Sequence, residues 1–431
     1  MDDTLIEKIK ENVESFRDEM VRAVSDIVKI KSVSPEFAWE PALSTGGEGE
    51  VARYIKPILD GMGVETEIFE KAKGRANVCG RLKGAGGGRG LVFNGHMDVV
   101  PPGEAGEWGG DDPFSGWTDE EYIYGRGAVD MKGGLISAVF ALKALQKSGV
   151  GLKGDVVFQF VAGEECKAND IGTTACIRRG YTADAAIICE PTCSETSPFA
   201  IQVASVGVLE MKWRVRGKSC HVGMRREVIH DGGTGAAVGV DAIEKGMIIY
   251  NALKELEKQW GQSKTHPLYP AGQFCINGAV VSGGVAPSLV SPNMEMSYAI
   301  IYPPQDSAGK IREEIEQCVR NACGNDPWLR ENPPEVVWLF DWPPFNTDEG
   351  EDICSALRLA AQKIRAGAGS FDGFKAVCDA SFFREEGVPA VVLGPGDVRY
   401  VHCASEKLSI DQLLDAAKIY AAVMAIWCEV F

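Results

Sequence analysis

Several things are scarce in this chain of 431 residues, and each shortage closes off a class of protein. Positive charge is short: 44 Lys and Arg stand against 61 Asp and Glu, a formal net charge of −17. Such a surface repels phosphate backbones and anionic lipid, which argues against nucleic acid and membrane as main partners. Beyond that, the charge says no more than that the chain is soluble. No run approaches the ~18 uncharged apolar residues that a membrane-crossing helix needs. The stretch MDDTLIEKIKENVESF is charged and helical in pattern, and carries no apolar signal core. Thirteen cysteines include no Cys-x-x-Cys pair and sit in apolar contexts such as Ile188-Cys189 and Val377-Cys378. That usage fits reduced, buried thiols in a cytoplasmic protein, not a disulfide framework. No internal repeat or disordered segment stands out.

What is present is enough apolar residue for a sizeable core, in a chain longer than one core usually supports, so two domains are expected. Leu5, Ile6, Ile9, Val13, Phe16, Met20, Val24, Ile27 and Val28 recur at helical spacing. Strands are predicted over 65–69, 77–82, 91–93, 156–161 and 185–189, alternating with helices over 49–62, 134–146 and 174–179. That alternation means a mostly parallel α/β sheet. Near Val206 the grammar changes to strand 208–216, helix 235–260, strands 274–281 and 289–302, helix 308–322 and strand 335–340. This βαββαβ order describes an antiparallel sheet with helices on one face. After Pro343-Pro344 the first grammar returns, with helix 352–364, strand 390–393 and helix 410–427. The expected organisation is an α/β domain over 1–205 and 344–431, interrupted by an inserted α+β, ferredoxin-like domain over 206–343.

In open α/β sheets ligands bind beyond the carboxyl ends of the strands. Leu91 to Phe93 leads to His96 and Asp98, a His-x-Asp spacing that puts both side chains on one side of extended backbone. Strand 156–161 leads to Glu164-Glu165, strand 185–189 to Glu190, and strand 390–393 to His402 and Glu406. Asp130 lies in a Gly-rich loop just before a helix. Taken singly, each of these is an ordinary helix cap or surface carboxylate. Gathered together, the acids cannot all stay ionised without a neutralising cation. Lysines could provide it; a divalent metal pair sharing one bridging carboxylate does it better. Mixed His and carboxylate donors suit zinc and its neighbours over calcium or magnesium.

The motifs Gly95-His-Met-Asp-Val-Val-Pro101, Tyr124-Gly-Arg-Gly-Ala-Val-Asp-Met-Lys-Gly-Gly134, Gly163-Glu-Glu165, Cys189-Glu-Pro191, Gly217-Lys-Ser-Cys-His221 and His402-x-x-x-Glu406 occur in this order over nearly the whole chain. Together they resemble the zinc-dependent amidohydrolases typified by acetylornithine deacetylase, succinyl-diaminopimelate desuccinylase, aminoacylase and carboxypeptidase G. The resemblance implies two divalent ions, zinc first and Co2+ or Mn2+ as substitutes. It implies His96, Asp130, Glu165, Glu190 and His402 as ligands, with Asp130 bridging. Asp98 would steady His96 from behind, and Glu164 would be the general base. His221, on an inserted lid and dimerisation domain (206–343), would reach the partner subunit's site in a homodimer and stabilise the oxyanion. His230 and His266 carry no such signature.

One departure bears on the substrate. Where the family carries an Asn and an Arg that grip a substrate carboxylate, Ser288 and Ile301 stand here, with Arg384 and Arg399 as conceivable substitutes. Thr265–Pro270 and Asn325–Pro334 are most similar to the formylaminopyrimidine deformylase subgroup. The expectation is a cytoplasmic dinuclear zinc amidohydrolase that cleaves an N-acyl or N-formyl amide of a small molecule. A deformylase, a dipeptidase or carboxypeptidase, and an inactive metal-binding homologue are the alternatives.

Overall fold

A computed structural model describes residues 3–36, 47–109, 112–224 and 238–431. The chain divides into two compact units: Met1–Val203 with Thr347–Asp372 and Cys378–Phe431, and Ala204–Asn346 with Gly373–Val377.

The larger unit is built on an eight-stranded sheet in the order 65–72, 75–82, 156–161, 91–96, 185–188, 390–392, 201–205, 371–374. Its centre is parallel: Val156–Val161, Leu91–His96, Ala185–Ile188 and Ala390–Val392 all run the same way. Antiparallel strands flank this centre on both sides. The central strands are buried along their whole length, as expected of continuous apolar runs covered on both faces. Phe93 lies between Phe158 on the neighbouring strand and Tyr420 on the helix Ile410–Trp427, with ring centroids 6.1 and 5.1 Å away. The helical pattern near the N-terminus resolves into two helices, Asp3–Glu14 and Arg17–Val28. Several short elements escaped the sequence pattern, among them strands Ile201–Ser205 and Phe371–Phe374 and helix Ala380–Glu385.

The smaller unit is a four-stranded antiparallel sheet in the order 335–342, 207–216, 293–302, 275–283. Strict alternation turns Leu209, Met211, Trp213 and Val215, with Met294, Met296, Tyr298, Ile300 and Tyr302, towards the helices Ala242–Ser263 and Ala308–Gly324. Those helices start where Asp241 and Ser307 cap free backbone amides with their side chains. The first begins at Ala242 instead of Gly235; residues 225–237, which include His230, lie outside the described residues. All thirteen cysteines are free thiols. No described helix is long and apolar enough to cross a membrane.

Truncating Phe93 to Ala removes a fully buried ring from the centre of the parallel core, which typically costs about 3–5 kcal/mol. Denaturant unfolding of Phe93→Ala is expected to show that loss; a change below about 1 kcal/mol would mean the layer around Phe93 can collapse into the space.

Candidate active site

Register brings the site together. In the parallel ladder His96 sits beside Val161 and Asn94 beside Ile188, so neighbouring strands end at one level. Each strand then releases its polar residues at the same edge: His96 and Asp98, Glu164 and Glu165, and Glu190. At Gly163 the chain turns with φ +95, a conformation glycine adopts without cost, and a side chain there would press on Ala168. At Gly134 a Cβ would meet the Cys189 carbonyl at 2.2 Å, so glycine lets this helix approach the strand end just before Glu190.

His96 is buried. Its Nδ1 lies 2.8 Å from the Asp98 carbonyl oxygen and its Nε2 3.0 Å from Asp130 Oδ1. Nε2 is also 3.5 Å from Glu190 Oε1. A carbonyl can only accept, so Nδ1 carries the proton and Nε2 presents its lone pair to any metal. The support expected of Asp98 comes from its backbone carbonyl. The Asp98 backbone orients the ring, while its carboxylate, 3.9 Å from Nδ1, accepts from the Gly163 amide at 2.9 Å. Asp98 therefore fastens the end of one strand to the turn that delivers Glu164 and Glu165.

On the other side, His402 Nε2 lies 3.2 Å from Asp130 Oδ2 and 3.1 Å from Glu165 Oε2. His402 holds φ +58, a left-handed conformation uncommon outside glycine that histidine adopts more readily than most residues. Asp130 thus turns one oxygen to each imidazole, and each imidazole also faces its own glutamate. Donor atoms of His96, Asp130 and Glu165 lie within 4.8 Å of one another, and so do those of His96, Glu164 and Glu190.

The electrostatics follow from this crowding. Burial, aided by the nearby Asp130, pushes the Glu190 carboxyl up to about 7. Burial lifts Glu164 well above the carboxylate range, and burial with Asp130 lifts Glu165. Burial also acts on Asp130, but its hydrogen bonds to His402 and His96 prevail and hold it low. The imidazoles go the other way: despite burial, Asp130 and its glutamates raise His96 well above its ordinary value and His402 to about 10. Such a cluster demands positive charge. Imidazole nitrogen with carboxylate oxygen, arranged as two His–Glu pairs about one shared Asp, is a donor set that fits two divalent ions of the zinc type.

Asp130 is set in place by residues the sequence reading left without a role. Glu406, fully buried, accepts from the backbone amides of Gly127, Val129 and Asp130 through Oε1, and pairs with buried Arg126 at 2.6 Å through Oε2. It is a brace for the Asp130 loop, and its four-residue spacing from His402 was the available signal. Behind Asp98, buried Arg75 bonds Glu48 at 2.8 Å and Ser34 at 2.9 Å and reaches Asp98 Oδ2 at 3.7 Å. Lys132, fully buried, donates to the carbonyls of Ile27 and Ile30, and burial brings its ammonium down to about 7. No spacing rule announces such partners, because they come from distant segments.

His221 belongs to the smaller unit. It is exposed, opposite Leu289 in an isolated bridge, and its Nδ1 accepts from the Gly223 amide at 3.0 Å. His266 lies in a turn there, where its Nδ1 accepts from the Leu268 amide and its ring packs on Tyr269. Ser288 is exposed, and Ile301 packs into an apolar cluster with Ala204, Val206, Tyr269 and Phe274. The two conceivable substitute clamps are engaged: Arg384 with Glu351 at 3.2 Å, and Arg399 with Asp397 and Glu195, both at 2.7 Å.

A family model described as Peptidase family M20/M25/M40 matches residues 92–425. Among curated relatives, an N-formyl-4-amino-5-aminomethyl-2-methylpyrimidine deformylase of Halalkalibacterium halodurans is 32% identical over 99% of this chain and 98% of its own length. Among solved structures, the aminopeptidase PepT of Bacillus cereus aligns with TM-score 0.72 at 20% identity, covering 95% of this chain and 98% of that one. A Bacillus subtilis protein described as a dinuclear metal-binding peptidase aligns with TM-score 0.66 at 16% identity, covering 97% of this chain and 100% of its own.

Two substitutions separate holding metal from bracing its holder. Asp130→Ala is expected to abolish stoichiometric binding of both ions, read by plasma emission after dialysis. Glu406→Gln, with the loop intact but its brace weakened, should lower metal affinity about 10–100-fold. Unchanged stoichiometry in Asp130→Ala would mean the shared carboxylate is not shared by metals.

Proposed function

The chain belongs to the peptidase family M20/M25/M40 and is a metal-dependent hydrolase of amide bonds, and on that footing we propose that it removes a formyl or other small acyl group from an uncharged or aromatic amine. Two divalent ions, zinc by donor preference, would be held here, one by His96 and Glu190 and the other by His402 and Glu165, with Asp130 serving both. The observation that carries this reading is the division of Asp130's two oxygens between two imidazoles. Whole-length similarity to a deformylase supports the choice of acyl group.

When bound, the metal pair supplies Lewis acidity, lowering the pKa of water and polarising the scissile carbonyl. The rest falls to the chain. Glu164, beside the ligands but outside both His–Glu pairs, takes the proton of the attacking water. Its carboxyl has a raised proton affinity through burial, so it can keep that proton and deliver it to the departing nitrogen. His96 stays in one orientation because the Asp98 carbonyl holds its Nδ1 proton.

The smaller unit is proposed to make a homodimer. The strand Cys275–Gly283 lies at its sheet edge, and Val280 and Val281 are 62% and 60% exposed. An open edge carrying apolar side chains invites pairing with a second copy. With Nδ1 of His221 accepting from Gly223, its Nε2 carries a proton and is a donor suited to an oxyanion across that dimer. The location is proposed to be the cytoplasm, in keeping with its reduced thiols.

Three outcomes are expected. Glu164→Ala keeps both metals by plasma emission while turnover falls about 10²–10⁴-fold; loss of a metal would make Glu164 a ligand. Mixed dimers of His221→Ala with Glu164→Ala regain part of the activity that neither variant has alone; verified heterodimers without activity would place His221 outside any shared site. Finally, Ser288 and Ile301 stand where the family carries the Asn and Arg that grip a substrate carboxylate, so a free carboxylate would lack that anchor. N-formyl amino acids should therefore show no advantage in kcat/KM over their neutral amides, and a hundredfold preference for the acid would overturn the amine assignment.

A further inference from the structure

The larger unit contains a cavity of about 550 Å3 whose walls use none of the proposed metal ligands, though Glu406, the brace of the Asp130 loop, is among them. Four aromatic residues line it, Trp108, Trp117, Tyr124 and Tyr400, and its charged lining is Glu107, Asp112 and Glu406 with Lys407. The rings are held in place. The Trp108 indole donates to the Pro102 carbonyl at 2.8 Å, and the Tyr124 hydroxyl donates to Asp119 at 2.8 Å. Trp117 and Tyr124 lie with centroids 4.5 Å apart and planes inclined by 38°. The acids are tethered too, Glu107 by the Glu104 amide and Asp112 by the Phe114 amide, each through one oxygen.

Positive charge already gathers around these rings. The Lys407 ammonium stands 5.4 Å from the Tyr400 centroid and 4.1 Å from that of Tyr122, and the Arg126 guanidinium lies 5.6 Å from the centre of Trp108. The electron-rich faces of indole and phenol attract cations, most strongly where water is thinned. A cavity of this volume, lined by fixed aromatic side chains and by more acids than bases, suits a flat ligand with a delocalised positive charge. Trp117, 55% exposed, leaves the wall open on one side for entry.

We propose that this cavity is a binding site for a planar aromatic cation, an amine- or amidine-bearing ring, stacked among Trp108, Trp117, Tyr124 and Tyr400 with its charge met by Glu107 and Asp112. The proposal does not depend on the reaction assigned to the metal-binding residues. Its occupant would touch the segment 400–405, which carries His402.

The test is calorimetric titration of the full-length, metal-loaded protein with benzamidine, and with benzamide as the neutral isostere. One benzamidine site is expected, with benzamide bound about tenfold more weakly or worse. Trp117→Ala should weaken benzamidine by about tenfold while Trp117→Phe keeps most of the affinity, and Asp112→Asn should weaken it without altering the melting curve. Glu164→Gln, in the other site, should leave it unchanged. Equal binding of benzamide, indifference to Trp117→Ala and Asp112→Asn, no binding at millimolar benzamidine, or loss of binding in Glu164→Gln would each overturn the proposal. If Trp117→Ala misfolds, the Asp112→Asn and benzamide comparisons decide.

Discussion

Carboxylates crowded together out of water repel one another, and each can be relieved only by a proton or by a cation. The carboxyl edge of the central sheet gathers Asp130, Glu164, Glu165 and Glu190 around His96 and His402, and nearly everything else in the larger unit serves to hold that costly arrangement. Burial pushes three of the acids towards protonation, while the imidazoles are drawn towards protonation by the same acids. On the proposed reading, two divalent ions would take the place of those protons and turn a liability into a site. The shared Asp130 makes the two positions interdependent, since losing it uncouples both.

Around this cluster a set of buried polar groups keeps its geometry. Glu406 fastens three loop amides, those of Gly127, Val129 and Asp130, and is itself neutralised by Arg126. Asp98 ties the His96 strand to Gly163, and Arg75 holds Asp98 and Glu48 in turn. Each group is fully or nearly fully buried. Removing one partner of such a pair strands a charge out of water, so the brace is costly to disturb even though it touches no substrate.

Much of this was legible in the residue order. Apolar runs with abrupt polar ends located the parallel strands, and the edge they share follows from how parallel sheets place their ligands. Helices 352–364 and 410–427 were read with the bounds they have, because long periodic patterns survive tertiary packing. What escaped did so for physical reasons. The short strands at 201–205 and 371–374 have no room for a period. That Asp98 meets the His96 ring with its carbonyl was not legible, because spacing reports side-chain direction and says nothing of which atom makes the contact. Arg75, Glu48 and Lys132 stayed silent because their partners are dozens of residues away, and only folding brings them together.

Anomalous scattering from crystals of the zinc-loaded protein tests the central claim most directly. The account predicts two zinc peaks, one against His96 and Glu190 and one against His402 and Glu165, with a different oxygen of Asp130 contacting each. A single peak, or a peak whose carboxylate ligand is Glu164 in place of Asp130, would contradict it.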